Sequence, residues 1–106
     1  MPIRAYSYEV KTAGSAGVAT GSTEVGVPPG RLVAVHVDYQ AGAPATTDLT
    51  VANLGVTLVE HANSGADRMI QLGGGTSTVV NGAMTVSVAQ SDALGPAARG
   101  ALYVEV

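Results

Sequence analysis

The sequence lacks most of the residue types that carry covalent or metal chemistry. Its 106 residues include no cysteine, which excludes disulfides and thiolate metal sites. Phenylalanine and tryptophan are also absent, and only four tyrosines are present, so Val, Leu and the few Ile and Met must fill the core. No apolar run approaches the ~20 residues that a membrane helix needs. We therefore expect no membrane partner.

Charge is scarce as well. Only 12% of the residues are charged, and the net charge is −3. The five Lys and Arg residues are scattered, so the sequence offers no basic patch and predicts no nucleic-acid partner. Low charge also gives weak protection against self-association. Two interpretations fit this composition: a protein that packs against its own copies or a large partner, or a genome that favours Ala, Gly and Val codons.

The clearest positive pattern is an alternation of apolar and polar residues within residues 31–40, which is strict from Val35 onward. Successive side chains of a strand point to opposite faces, so this alternation predicts a strand with one buried and one solvated face. The buried face is predicted to carry Val33, Val35, Val37 and Tyr39, and the solvated face His36, Asp38 and Gln40.

Most of the chain repeats this pattern. Further strands are predicted at residues 3–11, 18–25, 46–52, 55–61, 68–72 and 99–106. Pro28-Pro29-Gly30 is predicted to form a turn between two strands, because proline lacks the N–H that a ladder needs. Asn53-Leu54-Gly55 is predicted to be a short hairpin connection with Gly55 at positive φ.

A second hairpin is predicted within residues 76–90. Its turn would be Asn81-Gly82, the pair that most readily adopts type I′, with Val80 opposite Ala83. Beyond the turn, Met84, Val86 and Val88 are predicted to face inward. Residues 91–98 are predicted to be a loop or a helical turn.

About eight short strands and no convincing helix predict one all-β domain over residues 1–106. The architecture expected is an antiparallel β-sandwich, jelly-roll-like, with a small closed barrel as the alternative. No signal peptide is expected, because Met1-Pro2-Ile3-Arg4 leads directly into a polar alternating stretch.

Neither metal nor cofactor chemistry is indicated. A metal site needs three or four convergent ligands, and nothing at fixed spacing brings His36 and His61 together with others, so both are interpreted as surface residues. Carboxylates could be gathered by strand pairing into a glycosidase-like pair, but solvated strand faces explain them better. Those carboxylates are Asp38, Asp48, Glu60 and Asp67.

No nucleophile or phosphate loop is recognisable either. The chain has no Gly-x-Ser-x-Gly elbow between a strand and a helix. Gly73-Gly74-Gly75-Thr76 lacks the lysine and the following helix of a phosphate-binding loop and is interpreted as a surface loop. The sequence therefore predicts a protein that is not an enzyme.

Tyr6 and Tyr8 share one face of the first predicted strand. Tyrosine combines apolar area with a polar tip, which suits both the edge of a core and an interface. Core-edge filling is the default interpretation, and an interface with a subunit or a glycan is the alternative.

Residues 31–60 carry a resemblance to a known group of proteins. A strand ending in Val37-Asp38-Tyr39, a loop and strand over residues 42–51, and a strand over residues 55–59 are similar to small all-β virion proteins of tailed bacteriophages. Within that group the chain resembles capsid decoration, or cement, proteins and head-fibre proteins.

This resemblance implies a structural role. It implies a homotrimer that binds the outer surface of the major capsid protein lattice and stabilises the head, in the virion after assembly in the host cytoplasm. It also implies an N-terminal arm over residues 1–5, in which Pro2, Ile3, Arg4 and Ala5 contact the capsid. Ile3 would be the apolar anchor and Arg4 the charge partner; a frayed end is the alternative.

Two other functions stay open. One is a carbohydrate- or receptor-binding β-sandwich module of a phage fibre or tail, which predicts an exposed platform of Tyr6, Tyr8 or Tyr39. The other is a small hydrolase, which predicts a pocket with two close carboxylates.

Overall fold

The computed structural model describes residues 2–72 and 78–106, and all regular secondary structure in them is β-strand. The all-β prediction is therefore confirmed. The glycine-rich loop predicted at residues 73–76 lies outside the described residues. The strands are β1 Ile3–Val10, β2 Ala19–Tyr39, β3 Asp48–Asn53, β4 Val56–His61, β5 Arg68–Gln71, β6 Thr78–Ser91 and β7 Ala98–Glu105.

These strands form one antiparallel sheet in the order β1-β7-β2-β6-β3-β4, with β5 also paired to β2. The first half of β2 pairs only with β6, whereas its second half pairs with β7 and β5. The strand thus belongs to two layers. One layer contains β1, β7, the second half of β2 and β5; the other contains the first half of β2, β6, β3 and β4.

The length of β2 requires a bend. Its 21 residues would span about 70 Å if fully extended, but the longest dimension of the protein is 42 Å. The pairing with β6 shifts register between Val27 and Gly30, so Pro28 and Pro29 lie in a bulge. Bulges let a strand pass from one layer to the next and tolerate the missing N–H of proline. The prediction that Pro28-Pro29-Gly30 separates two strands was wrong.

The predicted hairpin at Asn81-Gly82 was also wrong. β6 runs without interruption through this pair, with Val80 opposite Gly30 and Gly82 opposite Val27. β6 therefore bends at the same place as its partner β2, and Gly82 adopts a φ of 80° at this bend. Because each apparent turn lies inside a continuous strand, the described residues form seven strands rather than about eight.

The buried side chains of both layers pack into one hydrophobic cluster, which confirms a sandwich-like fold. The predicted inward set Met84, Val86 and Val88 is confirmed. The first layer contributes Tyr8, Val10, Leu32, Val35, Val37, Leu102 and Val104, and the second Leu49, Val51, Met84, Val86 and Val88.

Two further local predictions, one on a hairpin and one on a core residue, have different outcomes. The hairpin between β3 and β4 is confirmed: Asn53 pairs with Val56, and Gly55 has a φ of 84°. The inward position of Val33 is not confirmed. A register shift against β7 between Leu32 and Ala34 turns Leu32 into the core and leaves Val33 half-buried.

The part of the chain that the structure describes contains no helix of the length and hydropathy needed to cross a membrane.

Candidate functional site

The main candidate site is the solvent-facing side of the layer formed by β1, β7, the second half of β2 and β5, which we call the outer face. Strand pairing sets its side chains in rows, because directly opposed residues of paired strands share a face. The rows are Ala5–Tyr103–Ala34–Gln71, Ser7–Ala101–His36–Met69 and Glu9–Arg99–Asp38.

One half of the outer face is an apolar groove of about 400 Å³. Ile3 is 56% exposed and Met69 44% exposed, so two large apolar side chains at this groove face solvent. An apolar depression of this kind on a sheet surface is typical of a contact with another molecule. The groove is lined by Ile3, Val33, Ala34, Met69, Gln71, Leu72 and Tyr103.

The other half of the outer face is a polar groove of about 440 Å³. Its central row places Arg99 between Glu9 and Asp38, and opposite charges on neighbouring strands stabilise the sheet by about 0.2–1 kcal/mol each. His36 and Ser7 complete the polar lining. The predicted solvated face of residues 31–40 thus becomes part of a larger polar surface.

The titratable side chains of the polar groove lie on three different strands. Among the described residues, no group of three or more His, Asp or Glu side chains is placed to hold a metal ion. Glu9 and Asp38 lie on strands separated by β7, so their backbones are about 10 Å apart, with Arg99 between them. The register of β1, β7 and β2 is sufficient to explain why Glu9, Arg99 and Asp38 lie in one row.

Tyr8 lies at the edge of the core and is only 5% exposed. Its hydroxyl passes over Gly100 and donates a hydrogen bond of 2.8 Å to the main-chain carbonyl of His36. Burial raises the pKa of the Tyr8 hydroxyl well above its ordinary value, and nearby Tyr39 and Asp38 add to the shift.

Tyr39 and His61 form a partly buried polar contact between the two layers. The Tyr39 hydroxyl and His61 Nδ1 are 3.0 Å apart, which joins β2 in one layer to β4 in the other. Burial, followed by the charges of Asp48 and Asp67, raises the pKa of Tyr39 to about 12. Burial, followed by the charge of Arg68, lowers the pKa of His61.

The burial of the tyrosine side chains tests the prediction that some of them form an exposed platform or an interface. Tyr8 and Tyr39 are buried, so neither forms an exposed platform for a glycan. Tyr6 is half-buried against the core, and its assignment to an interface stays a prediction. Tyr103, which the sequence did not single out, lines the apolar groove.

Of the predicted N-terminal arm, the structure describes residues 2–5, and these are bonded to the sheet. Ile3, Arg4 and Ala5 belong to β1 and pair with β7, and the Val106 N–H donates to the Pro2 carbonyl at 3.0 Å. Residues 3–5 are therefore part of the sheet, because β7 offers them a ladder partner, and their predicted contact with a capsid stays a prediction. Their side chains are nevertheless exposed, as a contact surface requires.

Two of the candidate acids hold loops in place instead of forming a site. Asp48 Oδ1 accepts the Asn63 N–H at 2.8 Å, and Asp67 Oδ1 accepts the Tyr39 N–H at 2.8 Å. Glu60 is exposed on β4.

Comparisons of the chain with protein-family models, curated proteins and solved structures return no match. The outer face must therefore be interpreted from its own residues. The sequence missed the apolar groove because its residues come from four strands and from the bulge at Val33. Of the groove residues, the sequence had singled out only Ile3 as a contact residue, as the apolar anchor of an arm.

Proposed function

We propose that this protein is a structural capsid decoration protein of a tailed bacteriophage. In this proposal it binds the outer surface of the major capsid protein lattice and stabilises the head. The observation that carries the proposal is the apolar groove on the outer face, where Ile3 and Met69 are exposed at the surface of a weakly charged protein. The resemblance of residues 31–60 to decoration proteins supplies the identity of the partner.

The groove suits a contact with a protein surface. Burial of exposed apolar area stabilises a complex by roughly 25 cal/mol per Å², and the neighbouring row of Glu9, Arg99 and Asp38 offers polar contacts at its rim. Interfaces commonly combine an apolar centre with a polar rim in this way.

Stabilisation of the head would follow from mass action. A protein that binds only the assembled lattice stabilises it by roughly 4 kcal/mol per site when its free concentration is a thousandfold above Kd. Contacts to several capsid subunits would add avidity.

The test is cosedimentation of the purified protein with empty, expanded shells of the phage. Met69→Asp places a charge in the groove at a side chain that is already 44% exposed, so the variant should fold and lose most shell binding. Val18→Asp is the matched control, because Val18 is 65% exposed in the turn between β1 and β2 and lines neither groove of the outer face.

Failure of the wild-type protein to bind shells at micromolar concentration would overturn the proposal, as would equal binding by Met69→Asp. Glycan binding that depends on Tyr103, without shell binding, would favour the fibre or tail module instead. Loss of binding in Met69→Asp but not in Val18→Asp would support decoration through the outer face.

A further inference from the structure

β1 is one end of the strand order. Its eight residues pair with β7 in an unbroken register from Ile3 opposite Glu105 to Val10 opposite Ala98. Among the described residues, no strand pairs with its other side. The structure thus presents a regular strand edge with main-chain donors and acceptors available.

The register identifies which main-chain groups point outward. The Val106 N–H donates to the Pro2 carbonyl, so Pro2 and Val106 form a hydrogen-bonded pair at the start of the ladder. Such pairs alternate along antiparallel strands, so the even-numbered residues of β1 bond to β7. The odd-numbered residues Ile3, Ala5, Ser7 and Glu9 direct their N–H and C=O groups away from the sheet.

This edge lacks most of the features that usually prevent pairing. Exposed edges are commonly protected by proline, charged side chains (lysine above all), bulges or short length, and of these β1 has only the charges of Arg4 and Glu9. β1 contains no proline or lysine, and its register has no shift. The opposite end of the sheet differs, because β4 has only six residues and a register shift between Val51 and Ala52.

We propose that β1 pairs antiparallel with β1 of a second copy about a two-fold axis at Tyr6, which joins two sheets into one. The strand is self-complementary in this register. Tyr6 meets Tyr6 at the axis, Ala5 meets Ser7, and Arg4 meets Tyr8, so no like charges are directly opposed.

The hydrogen bonding agrees with the same register. Ala5–Ser7 and Ile3–Glu9 become hydrogen-bonded pairs between copies, using the outward main-chain groups. Tyr6–Tyr6 becomes a non-hydrogen-bonded pair, in which side chains approach most closely, and aromatic cross-strand pairs are favourable. The net charge of −3 opposes association only weakly.

This pairing uses the main-chain groups of β1, and the side chains of Ile3, Ser7 and Glu9 stay on the outer face, which then continues from one copy into the other. The pairing differs from the three-fold assembly that the resemblance implies, since a two-fold axis cannot generate a trimer.

Sedimentation velocity over a concentration series tests the pairing, with Ser7→Pro as the main variant and Ser7→Ala as its control. Proline at position 7 removes the main-chain N–H that points away from the sheet and leaves the hydrogen bonds between β1 and β7 in place. Alanine at the same position keeps that N–H. We expect a dimer for the wild-type protein and Ser7→Ala, and dimerisation weakened about tenfold or more for Ser7→Pro. A wild-type monomer at the highest concentration, a trimer, or an unweakened Ser7→Pro dimer would overturn the proposal.

Amide hydrogen exchange of the wild-type protein gives a second test that needs no variant. The amides of Ala5 and Ser7 should become protected as concentration rises, whereas those of Tyr6 and Tyr8 should be protected at every concentration. Concentration-independent exchange at Ala5 and Ser7 would overturn the proposal even if Ser7→Pro failed to fold. The Met69→Asp variant, which should lose shell binding, should still form the dimer. Dimerisation and shell binding can therefore fail independently of each other.

Discussion

The side-chain amide of Asn53 donates a hydrogen bond of 3.0 Å to the main-chain carbonyl of Asn81, from which it is separated by 28 residues. The same amide donates to the Ala83 carbonyl at 3.0 Å, and Asn53 Oδ1 accepts the Asn81 N–H at 3.4 Å. Asn53 therefore bridges the main chain on both sides of Gly82. This bridge holds β6 in its passage through a pair of residues that would otherwise favour a hairpin turn.

Replacement of Asn53 by alanine should destabilise the fold by about 1–3 kcal/mol, because two main-chain carbonyls lose a donor that comes from a buried side chain. Urea denaturation measures the change in the free energy of unfolding. Asn81→Ala is the matched control and should change it by less than about 0.5 kcal/mol, since the exposed Asn81 bonds to Asn53 only through its main chain. Equal effects of the two substitutions would contradict the bridging role.

Gly100→Ala should destabilise the protein by about 2 kcal/mol or more through overpacking. A Cβ at position 100 would overlap the His36 carbonyl oxygen and lie 3.2 Å from the Tyr8 hydroxyl, so it would push apart β7 and β2. Gly26→Ala is the control, because a Cβ there meets nothing within 4 Å. Thermal melting of both variants checks the prediction, and a Gly100→Ala protein as stable as Gly26→Ala would count against this packing.

Stability should decrease as the pH falls below about 6.5, the ordinary pKa of histidine. The lowered pKa of His61 means that the unfolded chain binds a proton more readily than the folded protein. The contribution of neutral His61 to the free energy of unfolding is therefore complete above about pH 6.5. It is lost as the pH falls from there through the lower pKa that His61 has in the folded protein. Urea midpoints at pH 8 and pH 5 measure this loss.

His61→Gln should show a smaller loss of stability between those two pH values than the wild-type protein. His36→Gln serves as the control, because His36 lines the polar groove on the outer face, whereas His61 is the partner of the Tyr39 hydroxyl. Identical pH profiles for wild type and His61→Gln would refute the contribution of His61.

Stability should also decrease at high pH. The pKa of Tyr39 is raised to about 12, so between its ordinary value near 10 and that pH the folded protein retains a proton that the unfolded chain releases. Folding is then progressively disfavoured as the pH rises. Tyr39→Phe should flatten this alkaline decline in urea midpoints, and an unchanged decline would argue against the contribution.

The alternation of side chains was enough to predict the class of fold and much of the core. Val35, Val37 and Tyr39 are buried as predicted, and so are Met84, Val86 and Val88. The Leu54-Gly55 turn was also predictable, because a two-residue hairpin depends on the local backbone conformation of its own residues. These features are encoded within a few consecutive residues, so they require no knowledge of the rest of the chain.

The candidate site was much less predictable. Ile3 and Arg4 were selected as contact residues, but as members of an arm and not of a paired strand. The apolar groove was not predicted at all, since Ile3, Met69 and Tyr103 come together only when β1, β5 and β7 assemble around β2.

The sequence by itself determined that this protein is all-β, with an aliphatic core and few charges, because side-chain period and composition are properties of the chain alone. Only the tertiary structure decided that Pro28-Pro29-Gly30 and Asn81-Gly82 lie at a shared corner of β2 and β6 instead of ending four separate strands. The physical reason is that a turn-forming residue ends a strand only if its neighbours lose their ladder partners. Here β2 and β6 bend together and, with the side chain of Asn53, keep most of those hydrogen bonds satisfied.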